Sequence, residues 1–158
     1  MRLRRLTVAT LVCSAVVLGV SVLLGNSRAQ GSTSHTCSAP DKQFIETVRS
    51  NMDQLAYWAD ELRTNDVAPG IVIKQASSEA AQVAATGPTD PTLALTKGLL
   101  RTMLTEYSRA VYAKVHGGDV SVHIQLAYTL ANAVHDQLVG VEAPLAARGC
   151  DVSPLLTS

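Results

Sequence analysis

Ile45, Val48, Met52, Leu55, Ala59 and Leu62 recur at alternating steps of three and four. That spacing draws one apolar seam along an α-helix and nothing coherent along a strand. Ahead of the seam stands Ser38-Ala39-Pro40-Asp41. It offers a side-chain acceptor, a proline suited to the first turn and an acid three residues after the serine. Together these serve the amides that a helix start leaves without partners. The spacing predicts a first helix running from Ser38 to a stop at Asn65-Asp66.

Three further seams follow. Val72, Ala76, Ala80 and Val83 continue at helical steps after Pro69, although Gly70-Ile71-Val72-Ile73 also reads as a short strand. Helix is the expectation over 67–85, ended by Thr86-Gly87-Pro88. Asp90-Pro91 is a cap with proline in the first turn. Leu93, Leu100, Met103 or Leu104, Tyr107, Val111 and Val115 trace a third helix, which stops at His116-Gly117-Gly118. Asp119 caps a fourth, whose seam is Val120, Ile124, Ala127, Ala131, Val134, Leu138 and Val141. Pro144 is expected to kink or end it near Ala143, because an interior proline loses a hydrogen bond and crowds the preceding turn. Residues 151–158 read as a tail.

Four helices joined by short turns run antiparallel to their neighbours. The expected fold is therefore all-α, an up-down-up-down antiparallel four-helix bundle over 37–150. In that topology the start of the first helix and the end of the fourth lie at the same end. Cys37 precedes the one and Cys150 follows the other. A disulfide between them is thus a consequence of helix number. An odd number of helices would part them beyond the roughly 7 Å Cα limit for a bridge.

The N-terminal segment sets the address. Arg2, Arg4 and Arg5 precede an uncharged stretch over 6–25, and Ser27 and Ala29 suit the small subsites of signal peptidase. Residues 1–29 read as a signal peptide cleaved before Gln30, with a retained membrane anchor as the alternative. In both cases the arginine-rich end stays inside and the remainder is exported, so the mature chain is expected to be secreted or otherwise extracytoplasmic. Membrane contact is expected only through 6–25, if that segment is kept. Residues 30–36 are small and polar, the composition of a flexible tether. Cleavage removes four of the 13 basic residues and no acid, leaving nine against 13 acidic residues, a net charge of about −4. That balance provides no footprint for nucleic acid. An oxidising compartment and an even cysteine count favour the disulfide.

Chemistry is harder to find. His123 and His135 on the fourth helix are twelve residues apart, about 18 Å along the axis and 120° around it, so they cannot share a metal. No His-x-x-x-His, Glu-x-x-His, Cys-x-x-Cys or Gly-x-Ser-x-Gly occurs, and no metal or cofactor is expected. His116 suits a helix C-terminus. A haem-like or other flat apolar ligand would need an axial side chain from the third or fourth helix. His123, Tyr107 and Tyr128 are the candidates, with Met103 and Tyr112 beside them. Glu46, Asp53 and Asp60 form a stripe read as a solvated face, partly paired with Arg49 and Arg63. Lys97 and Arg101 share a face and could grip an anion, but a cationic enzyme pocket also needs polar positions inside the seams, which show almost none. Tyr57-Trp58 is the aromatic pair most suited to anchoring an interface.

The reading is an exported binding or structural module rather than an enzyme. It would act on an unknown protein or envelope partner, as a monomer or homodimer. The alternatives are a carrier of a small apolar or haem-like ligand and, behind it, a helical enzyme with a cationic pocket.

Overall fold

The computed structural model describes residues 36–156; the segment read as a signal peptide and nearly all of the tether lie outside the described residues. Helices α1 (Ala39–Thr64), α2 (Pro69–Ala85), α3 (Pro91–His116) and α4 (Val120–Ala147) follow in order, with a single 3-10 turn at Ser153–Leu155. The fold is the expected all-α four-helix arrangement. Gly70 to Ile73, ambiguous between strand and helix, form the first turn of α2. No helix among the described residues is long and apolar enough to cross a membrane.

The helix ends form where the local chemistry places them. Ser38 makes a reciprocal capping box with Asp41, and Asn65 closes α1 in the left-handed conformation at φ 65°. Asp90 accepts the amides of Thr92 and Leu93 to open α3. Gly117, at φ 73°, ends it where a side chain would be strained. Asp119 accepts the Ser121 amide at the start of α4.

α3 is the central element, packing extensively on α2 and on α4. Phe44, Val83, Leu93, Leu104, Leu138 and Leu145 are fully buried between the four helices. By contrast, α1 leans on α2 and on the 3-10 turn and scarcely meets α4. The ring of four helices is therefore closed at one end and parted along the α1/α4 seam.

That closed end is a polar and covalent knot. Cys37 and Cys150 are disulfide-bonded with their Cα atoms 5.1 Å apart. Beside the bond, the Cys37 amide donates to the Arg148 carbonyl at 2.7 Å. The buried Asp41 carboxylate accepts the amides of Thr89 (2.6 Å) and Asp90 (3.0 Å) and the Thr89 hydroxyl (2.9 Å). Asp90 in turn pairs with Arg148 at 2.8 Å. One carboxylate thus joins the start of α1 to the start of α3, and one ion pair joins the start of α3 to the end of α4.

Two expectations are corrected here. Of the two outcomes expected at Pro144, a kink or an end, the end does not occur: α4 runs through it to Ala147. One missing amide bond is offset by anchors on the following turn: Leu145 is fully buried, and Arg148 donates to the Pro144 carbonyl while holding Asp90. Residues 151–156 are not a loose tail either. Val152 is fully buried, and Leu155 and Leu156 pack on the core, because the disulfide brings this apolar run back against α1.

Reduction of the disulfide opens a loop closed across a sequence separation of 113 residues. Chain entropy puts its contribution at about 4–5 kcal/mol at most. Reductant, or Cys37→Ser with Cys150→Ser, should lower the melting temperature by up to roughly 10–20 °C; an unchanged melt would refute the closure. A second expectation concerns acid. Burial pushes the Asp41 carboxyl up, but hydrogen bonds from Ser38, Asp90 and Thr89 outweigh it and bring the group from 3.8 down to about 2. Because the folded value is the lower one, this contribution is complete above about pH 4 and lost as pH falls through 2, amounting to about 2 kcal/mol. Asp41→Asn should flatten the stability profile between pH 4 and 2, measured by denaturant unfolding at each pH.

Candidate functional site

Where α1 and α4 part, a cleft of about 250 Å³ opens. Val48 and Met52 of α1 form one wall, and Ala131, Val134 and Leu138 of α4 the other. Leu100 and Met103 of α3 make the floor, and Leu155 and Leu156 close one end. Asn132 and His135, both exposed, stand at the rim. Met52 and Met103 are the only methionines after Met1, and both line this cleft. Unbranched thioethers make an apolar surface that adapts to differently shaped guests. Sequence periodicity assigned most of these residues to seams, but not to a seam without a partner.

On the other side of α1 lies a buried polar cluster. Glu79 of α2 is fully buried, and its Oε2 has no hydrogen-bond partner among the described residues. Its Oε1 accepts from Gln75 at 3.2 Å, and Gln75 also donates to Gln54 of α1 at 2.7 Å. Asn51 of α1, itself buried, donates to the Glu79 main-chain carbonyl at 3.3 Å. Burial pushes the Glu79 carboxyl from 4.5 up to about 7, with the Gln75 bond opposing. The Tyr107 phenol of α3 is pushed up as well, by burial and then by the negative charge of Glu79.

A third group sits between α3 and α4. Glu106 is buried and lies 2.7 Å from Nδ1 of His123, with Arg109 on its other oxygen. The His123 hydrogen bond first, then the Arg109 bond and both positive charges, hold this carboxyl below its ordinary value against the effect of burial. With Glu106 ionised, His123 donates through Nδ1.

Asn51, Glu79, Thr96, Glu106 and Ser108 are all buried. This corrects the expectation of seams almost free of polar residues. The signal was present: Val48-Asn51-Leu55, Ala76-Glu79-Val83 and Met103-Glu106-Ala110 each obey the three-four step. Nothing in the residue type of these polar members marks them as buried, since Asn and Glu at such steps stand more often on the solvated flank of a helix.

The ligand candidates are not brought together. His123 is held by Glu106, Tyr107 stands near Glu79, and Tyr128 is exposed on α4. Tyr57 is exposed and meets the half-buried Trp58 edge-on, with centroids 5.0 Å apart. His116 lies against Tyr112, with centroids 4.1 Å apart. Lys97 donates to the Thr86 carbonyl, serving the end of α2, while Arg101 is exposed. Arg49–Glu46 and Arg63–Asp60 are exposed ion pairs, as the stripe on α1 suggested. Among the described residues the cluster with metal-ligating spacing is Cys37, Asp41 and Cys150, within 4.8 Å. Its sulfurs are bonded to each other, and its carboxylate already serves the knot.

Comparison of the chain with family models, with curated proteins and with solved structures finds no match.

The Glu79 value is raised on folding, so its contribution is complete below about pH 4.5 and falls away as pH rises through 7. The loss is about 3 kcal/mol. Unfolding free energy should therefore decline from pH 5 to 8, and Glu79→Gln should remove most of that decline. A parallel decline in the variant would assign the effect to other groups.

Proposed function

We propose that the mature chain is an exported helical-bundle binding protein that holds a small, slender apolar ligand in the α1/α4 cleft. The observation that carries this reading is an apolar cleft lined by both methionines of the bundle, where a closed bundle would have packed α1 on α4. At about 250 Å³ it lies just under the usual range for drug-sized ligands, roughly 300–1,000 Å³. That size favours a narrow guest and disfavours a whole haem. His135 at the rim, rather than His123, is the imidazole placed to meet a polar end of the guest. Export is supported by the arginine-led apolar segment and the small residues at 27 and 29, together with a disulfide that needs an oxidising compartment to persist.

The test is titration of the mature protein with a fluorescent apolar probe such as N-phenylnaphthylamine. Wild type should enhance its emission saturably. Ala131→Trp, which fills the cleft from its wall, should weaken binding at least tenfold while the melt stays close to wild type. No saturable binding, or binding unaffected by Ala131→Trp in a folded variant, would end the proposal.

A further inference from the structure

Glu79 and the cleft share one element. Val48 and Met52 form the α1 wall of the cleft, while Asn51, between them in the chain, donates to the Glu79 main chain on the α2 side. Beyond Asn51, α1 has no buried residue. Its second half is attached to α2 through Gln54 and Gln75, and at its start the helix is pinned by the disulfide knot. The helix is therefore held firmly at one end and lightly at the other, with the orphan carboxylate oxygen under the point where the firm part stops.

The groups facing Glu79 can be named element by element. On α2 it is Gln75; on α1, Asn51 and Gln54; on α3, Tyr107. Only Tyr107 among these titrates, and no Lys, Arg or His among the described residues pairs with Glu79. A neutral carboxyl can remain in such surroundings. An ionised one, with one amide donor and no cation, is under pressure to reach water.

We propose that Glu79 is a proton-operated latch on α1: neutral, it lets α1 seat on α2 as seen here, and ionised, it draws water in beside Asn51 and Gln54 and releases the second half of α1. Release pivots on the knot and moves Met52, so the latch regulates the cleft; this last step rests on the ligand-binding reading above. The burial-raised value near 7 places the event close to neutral pH.

Trp58, the single tryptophan, lies on the released half and reports on it directly. The experiment uses the disulfide-intact mature protein between pH 5 and 9. Trp58 emission should shift to the red in one step centred near pH 7. Hydrogen exchange over 52–64, corrected for its intrinsic pH dependence, should quicken at least tenfold across the same step, while 93–111 stays protected. Glu79→Gln should abolish both changes and stay seated throughout. Replacing His116, His123 and His135 by Gln should leave them in place. A step that survives Glu79→Gln, or its absence in wild type, overturns the latch. N-phenylnaphthylamine affinity measured alongside separates the two readings. If the probe never binds while the step is present, the cleft reading fails and the latch stands. A bound probe whose affinity ignores pH while the step is present removes only the coupling.

Discussion

Closure of this bundle is chemical before it is steric. In a four-helix ring each helix packs on two neighbours, and the core seals itself. Here α1 has one helical neighbour, α2, and its second support is the 3-10 turn that follows Cys150. The Cys37–Cys150 bond and the Asp41 carboxylate bring the beginning and end of the fold together at one point. Distal to that point α1 and α4 part, while α3 stays packed on α2 and α4. Apolar area alone would favour a closed α1/α4 seam at about 25 cal/mol per Å²; in its place Leu155 and Leu156 line one end of the cleft and pack on the core. The disulfide thus does two things at once. It staples the ends, and it returns an apolar run to the end of the cleft.

This arrangement divides α1 into two halves with different physics. From Asp41 to Asn51 it carries all of its buried residues, and it shares a covalent anchor with α4. From Met52 onward it offers the core partly buried side chains and the solvent acids such as Asp60, whose ion pair with Arg63 is exposed and so contributes little. Local opening is favoured in regions of this kind, where few apolar contacts would be lost. The cleft and the aromatic pair Tyr57–Trp58 both involve this half or border on it.

The legible part of the fold was the part written in period and punctuation. Seams at three-four spacing located all four helices, and Ser38, Asp90, Asp119, Asn65 and Gly117 marked ends that the structure places within a residue or so. Helix number then dictated the meeting of the cysteines. What escaped was whatever depends on tertiary anchoring. Pro144 carries a local cost, and only the burial of Leu145 and the pairing of Arg148 with Asp90 outweigh it. Val152 and Leu155 look like an unstructured end until the disulfide brings them back. The parted seam is invisible to periodicity, because Met52 and Val134 have the same spacing whether or not a helix lies opposite.

Three of the four buried acids show what sequence type conceals and environment decides. Asp41 collects amide and hydroxyl donors from two helix starts and stays ionised far into acid. Glu106 has His123 and Arg109, so its charge is matched where it sits. Glu79 has one glutamine. Burial is common to all three; the number of donors is not, and it sends the groups in opposite directions. A leucine of similar size at position 79 would remove an orphan oxygen whose cost is about 1–3 kcal/mol. Asp41 and Glu106 need no such explanation, since their partners are oriented on them. The carboxyl that the fold leaves with a single donor and an orphan oxygen is the one beneath the lightly held half of α1, where a proton can decide whether that half stays down.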